Sequence, residues 1–310
     1  MGFGSYAKAA LFALTGLTAC AHDGASSASA DSVSTDFNYT RNQIVLPANL
    51  GAEPANFLLD CALDPSLIEM ALARRMDLLT DPLQIAEAEG GGDEKGQEIT
   101  PAVIRELTIG ELRAPPFDAV AADLARFSES LGMPLAGALG YSFFKDRVIR
   151  VDYRDRRVDI ARSIDALPPQ PAGAVYEVPL EFMSDEDLIP VVDVVVANRT
   201  LRVSVDTGSS LGIQLYETAA RDLGIEASGE TSAIIGARGR AEVVNTELVA
   251  VSLGPFTIAG APATLSKRKH DPAERVGNLG NQFLENFVVT FDYVEGRLLF
   301  QLSPPPPDAN

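Results

Sequence analysis

The chain has no tryptophan, two histidines, two cysteines, and far fewer basic than acidic residues, 25 Lys and Arg against 43 Asp and Glu. Each shortage excludes a class of function. With no tryptophan and seven tyrosines in 310 residues, it offers no aromatic platform of the kind that single-strand nucleic-acid binders stack bases on. A formal charge of −18 sets it against a phosphate backbone, so no nucleic-acid partner is expected. The histidines are poorly placed for a serine hydrolase or a zinc site. His22 lies in a Ser/Ala-rich stretch, and His270 follows Lys267-Arg268-Lys269 in what reads as a solvated surface loop. A thiol peptidase pairing Cys61 with His270 stays open as an alternative. Gly90-Gly91-Gly92 lacks the Lys-Ser/Thr ending of a phosphate loop, and Lys95 behind it has no strand-to-helix context.

Long apolar runs are also missing. The longest near the N-terminus, Ala9 to Ala19, is too short to cross a bilayer as a helix. It suits a secretory signal over residues 1–19. The run ends in Leu17-Thr18-Ala19-Cys20, which resembles the lipobox of bacterial lipoproteins. The resemblance implies cleavage before Cys20, acylation of that cysteine and a membrane anchor on a periplasm-facing protein. Ala21, where an aspartate would favour inner-membrane retention, favours the outer membrane. An ordinary signal peptide with an incidental cysteine is the competing reading. With Cys20 committed to lipid, Cys61 has no partner and the exported domain must be held by its core. At 46% apolar residues the chain is long enough to build one. Residues 20–40 read as a flexible tether, 163–174 as a Pro-rich linker (Leu167-Pro168-Pro169-Gln170-Pro171 falls within it), and 303–310 as a Pro-rich tail. That leaves two lobes, 41–162 and 175–302.

What the sequence does contain, it contains twice. Residues 140–160 align with 280–300 without a gap. Phe143 meets Phe283, Val148 meets Val288, Asp152 meets Asp292, Tyr153 meets Tyr293, and Arg157 meets Arg297. Each half is mostly β. Ile189 to Val196 and Leu201 to Val205 are β-branched runs parted by a turn, and Glu242 to Leu253 and Phe256 to Ile258 continue the pattern. Short helical stretches read at Pro65 to Met76 and Tyr216 to Leu223. Many short strands with few helices predict an all-β fold of barrels or sandwiches rather than a parallel α/β fold.

Upstream of each aligned block stands an aspartate at the end of an apolar strand. In the second half it is Val203-Ser204-Val205-Asp206-Thr207-Gly208-Ser209, in the first Phe57-Leu58-Leu59-Asp60-Cys61-Ala62. A carboxylate at the tip of a tight loop, with a glycine that lets backbone amides approach it, is a plausible acid–base group. Asp-Thr-Gly within a repeat, followed by an apolar-Gly pair, resembles the retropepsin-like and pepsin-like aspartic peptidases over roughly residues 41 to 302. The resemblance implies two similar closed β-barrel lobes related by a pseudo-twofold axis, with a few short helices. It implies Asp60 and Asp206 as the catalytic pair, and Thr207, Gly208, Ser209, Cys61 and Ala62 as their supporting loops. Leu139-Gly140 and Leu279-Gly280 would be the pairs that brace those loops. Ile235-Gly236-Ala237-Arg238-Gly239 fits a flap over the substrate, and Glu89-Gly90-Gly91-Gly92-Asp93 fits its lobe-one counterpart less well.

Such a pair shares one proton, activates a water, and needs neither metal nor organic cofactor. The implied partner is an extended peptide or protein, cleaved by a monomeric catalytic unit. The first lobe departs from the pattern. Cys61 replaces a hydroxyl residue, Ala62 replaces glycine, and Leu63 stands where lobe two has Ser209. The expectation is a weakened cross-lobe grip and a crowded loop, because a thiol is a poor donor and Ala62 adds a methyl. A non-catalytic peptide-binding lipoprotein and a structural lipoprotein that serves assembly are the readings from other classes. Asp152 and Asp292 read as structural turn or capping groups.

Overall fold

A computed structural model describes residues 31–303, apart from 89–91, 93, 171, 186, 227–228 and 268–274. The signal segment with Cys20 and His22, the loop with His270, the tail, and most of the lobe-one glycine stretch lie outside the described residues. The chain folds into two β lobes and a sheet that joins them.

In lobe two the strand order is Pro190–Val196, Arg199–Val205, Gly277–Leu279, Ile213–Tyr216, Phe256–Ser266 and Gly239–Leu253, and the last of these returns to pair with the first. That return closes a barrel. The first two strands are joined at Ala197-Asn198, both with positive φ, as a tight hairpin of right-handed twist requires. Lobe one repeats the order with Gln43–Leu50, Glu53–Leu59, Gly137–Leu139, Ser66–Glu69, Phe117–Ala122 and Glu98–Ile104. Its closing strand is broken. Glu98–Ile104 stops at Arg105-Glu106, where Glu106 has φ +57°, and resumes as Leu107–Ile109 to pair with Asn49 and Leu50. Gly110 and Gly254, both at φ +55°, then make the equivalent turns. Both barrels therefore close by the same ladder.

The joining sheet runs Ser32–Asp36, Arg157–Ala161, Val148–Asp152, Phe287–Asp292, Arg297–Leu302 and Val175–Pro179. Its centre displays the duplication directly. Val148 pairs with Asp292, Arg150 with Thr290, and Asp152 with Val288. Equivalent residues thus sit at mirror-related register positions about the Arg150/Thr290 pair, which marks the pseudo-twofold axis. Phe143, Phe283, Phe287 and Phe300 are fully buried around this sheet, each contributing about 1.5–3 kcal/mol of burial. Asp152 and Asp292 take the capping role expected of them. Their Oδ1 atoms accept the N–H of Asp155 at 3.0 Å and of Glu295 at 2.9 Å.

Two readings need correction. The tether assigned to residues 20–40 ends earlier, because Ser32–Asp36 is an edge strand and Asn38–Thr40 a short hairpin arm. A single apolar residue, Val33, gave little periodicity. The strand is held instead by its ladder to Arg157–Ala161 and by Ser34 Oγ, which donates to Asp159, itself paired to the buried Arg150 at 2.6 Å. The stretch read as helical from Pro65 begins as a strand, Ser66–Glu69. The helix is only Met70–Arg75, capped by Glu69, whose carboxylate accepts the Leu72 N–H at 2.7 Å.

Candidate active site

Each aspartate leaves the end of a barrel strand, Asp60 after Glu53–Leu59 and Asp206 after Arg199–Val205. The apolar-Gly pairs brace them. Asp60 N–H donates to Leu139 O at 3.0 Å and Asp206 N–H to Leu279 O at 2.9 Å. Gly140 and Gly280 lie so close to the loops that a Cβ would stand 2.4 Å from Leu63 O and 2.4 Å from Leu211 O respectively. Only glycine permits that approach.

The loops meet across the twofold axis. Cys61 N–H donates to Thr207 Oγ1 at 2.9 Å. The Cys61 thiol donates to Val205 O at 3.2 Å, and Thr207 N–H reaches Cys61 Sγ at 3.4 Å. The expected weakening of this grip is not what the geometry shows, since the thiol makes contacts in both directions. Sulfur reaches farther than oxygen, and the site is buried, with Cys61 3% and Thr207 0% exposed. Burial and the nearby carboxylates push the Cys61 thiol up, so it stays protonated as a donor. That is the opposite of a reactive thiolate. Ala62 does not block its amide either. Its N–H donates to Asp60 Oδ1 at 3.0 Å, matching Gly208 N–H to Asp206 Oδ1 at 2.9 Å. We expect Cys61→Ala to cost about 1–3 kcal/mol, because it leaves Val205 O and Thr207 N–H short of a partner in a buried site. Cys61→Thr should stay within about 1 kcal/mol of the parent. Denaturant unfolding measures both.

The Asp60 carboxyl reaches across to the Asp206 loop. A Cβ built on Gly208 would stand 2.3 Å from Asp60 Cγ, so the Asp60 carboxyl packs directly against Gly208. Burial and the adjacent Asp206 push Asp60 up to about 8. Asp206 is also raised by burial, but the Asn278 amide, the charge of Arg275 and the N–H groups of Gly208 and Ser209 all pull it back. The consequence for stability has a definite sign. Unfolded, Asp60 would release its proton near the ordinary carboxyl value of about 3.9, whereas folded it holds the proton to about 8. Between those values the native state binds more protons, so stability falls as pH rises through that window. In Asp60→Asn, urea unfolding between pH 4 and 8 should lose that part of the slope.

Several groups with no part in the sequence reading complete the site. Gln43 Nε2 donates to Gly208 O at 2.8 Å and Asn42 Nδ2 to Ser210 O at 3.2 Å, so the first hairpin of lobe one grips the Asp206 loop. Asn281, fully buried, donates to Thr207 O at 2.8 Å and Asn42 O at 2.7 Å and accepts the Tyr153 hydroxyl at 2.8 Å. An asparagine directly after Gly280, where lobe one has Tyr141, was the available signal. Asn278 Nδ2 donates to Asp206 Oδ2 at 2.7 Å.

An aspartyl protease family model matches residues 46–143 and 192–283. The chain belongs to the aspartyl protease family. Both matches span an aspartate loop and its apolar-Gly pair, one per lobe, as a duplicated aspartyl protease requires. A search of the curated proteins found no match.

In lobe two the segment read as a flap is the hairpin of Thr231–Gly236 and Gly239–Leu253, with Ala237-Arg238 at its turn and Ile235 41% exposed near its tip. Lobe one has a hairpin in the matching place, Ala86–Glu87 against Glu98–Ile104, and of its glycine stretch only Gly92 is described. The two tips touch. Glu94 N–H donates to Arg238 O at 2.8 Å, and Arg238 Nε donates to Glu94 O at 3.2 Å. Gly239, at φ +72°, leaves room for the Glu94 carboxylate, which also pairs with Arg126 at 2.9 Å. These groups are half-exposed, so the pair adds little global stability. Gly239→Val puts a β-branched residue at φ +72° and its Cβ into the Glu94 carboxylate, so it should open the contact and speed amide exchange at Glu94, read by hydrogen exchange with mass spectrometry.

Proposed function

We propose that this protein is an aspartic endopeptidase in which Asp60 and Asp206 act as one proton-sharing pair. The observation that carries the reading is the cross-lobe grip of Cys61 and Thr207 beneath two adjoining carboxylates, which compensates for the departure of lobe one from Asp-Thr-Gly. Two carboxyl groups this close cannot both ionise in a buried site, so they hold one proton between them and titrate as a unit. The charged member removes a proton from a water while the water oxygen bonds to the scissile carbonyl carbon. The protonated member gives its proton to the carbonyl oxygen as the π pair moves there. Collapse of the tetrahedral species, with proton delivery to the amide nitrogen, releases the two peptide products.

An extended peptide lying between the aspartates and the touching flap tips is the substrate this arrangement fits, with main-chain hydrogen bonds and alternating side-chain pockets. One chain supplies both carboxylates, which supports a monomeric catalytic unit. The Leu17-Thr18-Ala19-Cys20 segment supports a lipid anchor at Cys20 and action at the periplasmic face, on the outer rather than the inner membrane. Mass spectrometry of the membrane-extracted N-terminus tests the anchor, and an unmodified Cys20 refutes it. Incubation of the purified protein with a mixed peptide pool between about pH 4 and pH 8 tests the activity. Cleavage at discrete bonds is expected. Peptide binding without cleavage would instead favour a non-catalytic binding protein.

A further inference from the structure

The two lobes treat their aspartates differently. Asp60 accepts the Ala62 N–H on Oδ1. Asp206 accepts the Gly208 N–H on Oδ1 and, in addition, the Asn278 side-chain amide on Oδ2 at 2.7 Å. Asn278 stands on the strand Gly277–Leu279, directly before the apolar-Gly pair Leu279-Gly280. The corresponding residue before Leu139-Gly140 is Ala138, which carries no side-chain donor.

The orientation of the Asn278 amide is fixed by a second contact. Ser204 Oγ donates to Asn278 Oδ1 at 2.5 Å, and Ser204 is 1% exposed. Ser204 and Asn278 are register partners on adjacent parallel strands. Gly277 O, at 3.3 Å, is the farther acceptor for the same hydroxyl, so the proton goes to Asn278 Oδ1 and the amide turns its NH2 towards Asp206 Oδ2. The groups facing Asp206 from other elements reinforce the bias. Arg275, on its own lobe, lends positive charge, while Asp60 and the neutral Cys61 thiol face it from lobe one.

We infer that Asn278 is a positioning residue that assigns the shared proton to Asp60 and keeps Asp206 as the carboxylate. An N–H donor stabilises a carboxylate over its acid, and Asp206 has the extra donor. In the hydrolysis proposed above, Asp206 then takes the water proton and Asp60 protonates the scissile carbonyl oxygen. The inference deepens that reading and depends on it for its catalytic meaning, but the location of the proton can be read without substrate.

The test is carbon NMR of the full chain labelled at the aspartate carboxyl carbons. Asp60→Asn and Asp206→Asn supply the assignments. Near pH 6 the Asp60 carbon should report an acid and the Asp206 carbon a carboxylate. In Asn278→Ala, which gives lobe two the residue lobe one already has, the two carbons should converge on intermediate values. Ser204→Ala, a milder change that frees the amide to turn, should move them in the same direction by less. Indistinguishable carbons in the parent protein, or unchanged carbons in both variants, would overturn the inference. With a cleaved peptide in hand, the acid limb of the kcat/KM profile should rise in Asn278→Ala by about one pH unit or more, because Asp206 loses a charge-stabilising donor. An unmoved limb would also overturn it. If no peptide is cleaved but the carbons differ as described, the endopeptidase reading fails while the proton assignment stands.

Discussion

Asp206→Asn and Asp60→Asn should each reduce peptide hydrolysis by about 10²–10⁴-fold, the usual contribution of a positioned general acid or base. Both variants should fold. Asparagine keeps the size of the side chain and its carbonyl oxygen, so the loop amide bonds to Ala62 and Gly208 survive. What disappears is the single proton shared between two carboxyls. A neutral amide at either position leaves the pair without a base or without an acid, whichever lobe is changed. The equality of the two losses is the informative part. Lobe one departs from the family pattern at three positions, and a decorative Asp60 would show as a small loss there. Initial rates on one cleaved peptide, with unfolding curves to confirm folding, read the result.

Gly208→Ala should damage the site far more than the single methyl it adds would suggest. The added Cβ would stand 2.3 Å from Asp60 Cγ and 2.3 and 2.6 Å from its oxygens. Neither loop can retreat, because Cys61 and Thr207 lock them together and Gln43 and Asn281 hold the Asp206 loop from the other side. Overpacking of this kind costs about 1–3 kcal/mol. It also displaces the Asp60 carboxyl, so activity falls further than stability. The reverse change in lobe one, Ala62→Gly, should leave stability within about 1 kcal/mol. Urea unfolding and kcat/KM measured on both variants separate the two effects.

The duplication was readable in the amino-acid sequence because it is written as a constant register. The aligned blocks from Gly140 and Gly280 become the paired strands that straddle the twofold axis, so a repeat in one dimension turned into symmetry in three. The Asp-Thr-Gly loop, the apolar-Gly pairs and the lobe-two hairpin around Ala237-Arg238 were legible for a similar reason, since each depends on local backbone requirements. What was not legible depends on contacts between distant segments. The chemistry of Cys61 alone argues for a weak donor, and only the buried interface with Thr207 gives its thiol contacts in both directions. The methyl of Ala62 alone argues for crowding, yet its N–H reaches Asp60 unhindered. Ser32–Asp36 carries one apolar residue and reads as tether, and it becomes a strand through a ladder and through Asp159, far along the chain. Asn278 and Asn281 left a trace, as polar residues in an otherwise apolar strand and turn, but the trace had no meaning before Ser204, Tyr153 and Asp206 were brought beside them.

The central claim is that two aspartates from two unlike loops work as one unit. The most direct measurement is kcat/KM on a single cleaved peptide for the parent protein, Asp60→Asn, Asp206→Asn and the double variant, side by side. Groups that act together are not additive, so the double variant should be no slower than either single one. If Asp60→Asn cleaves at the parent rate, or if the double variant loses the product of the two single losses, the shared-proton pair is contradicted.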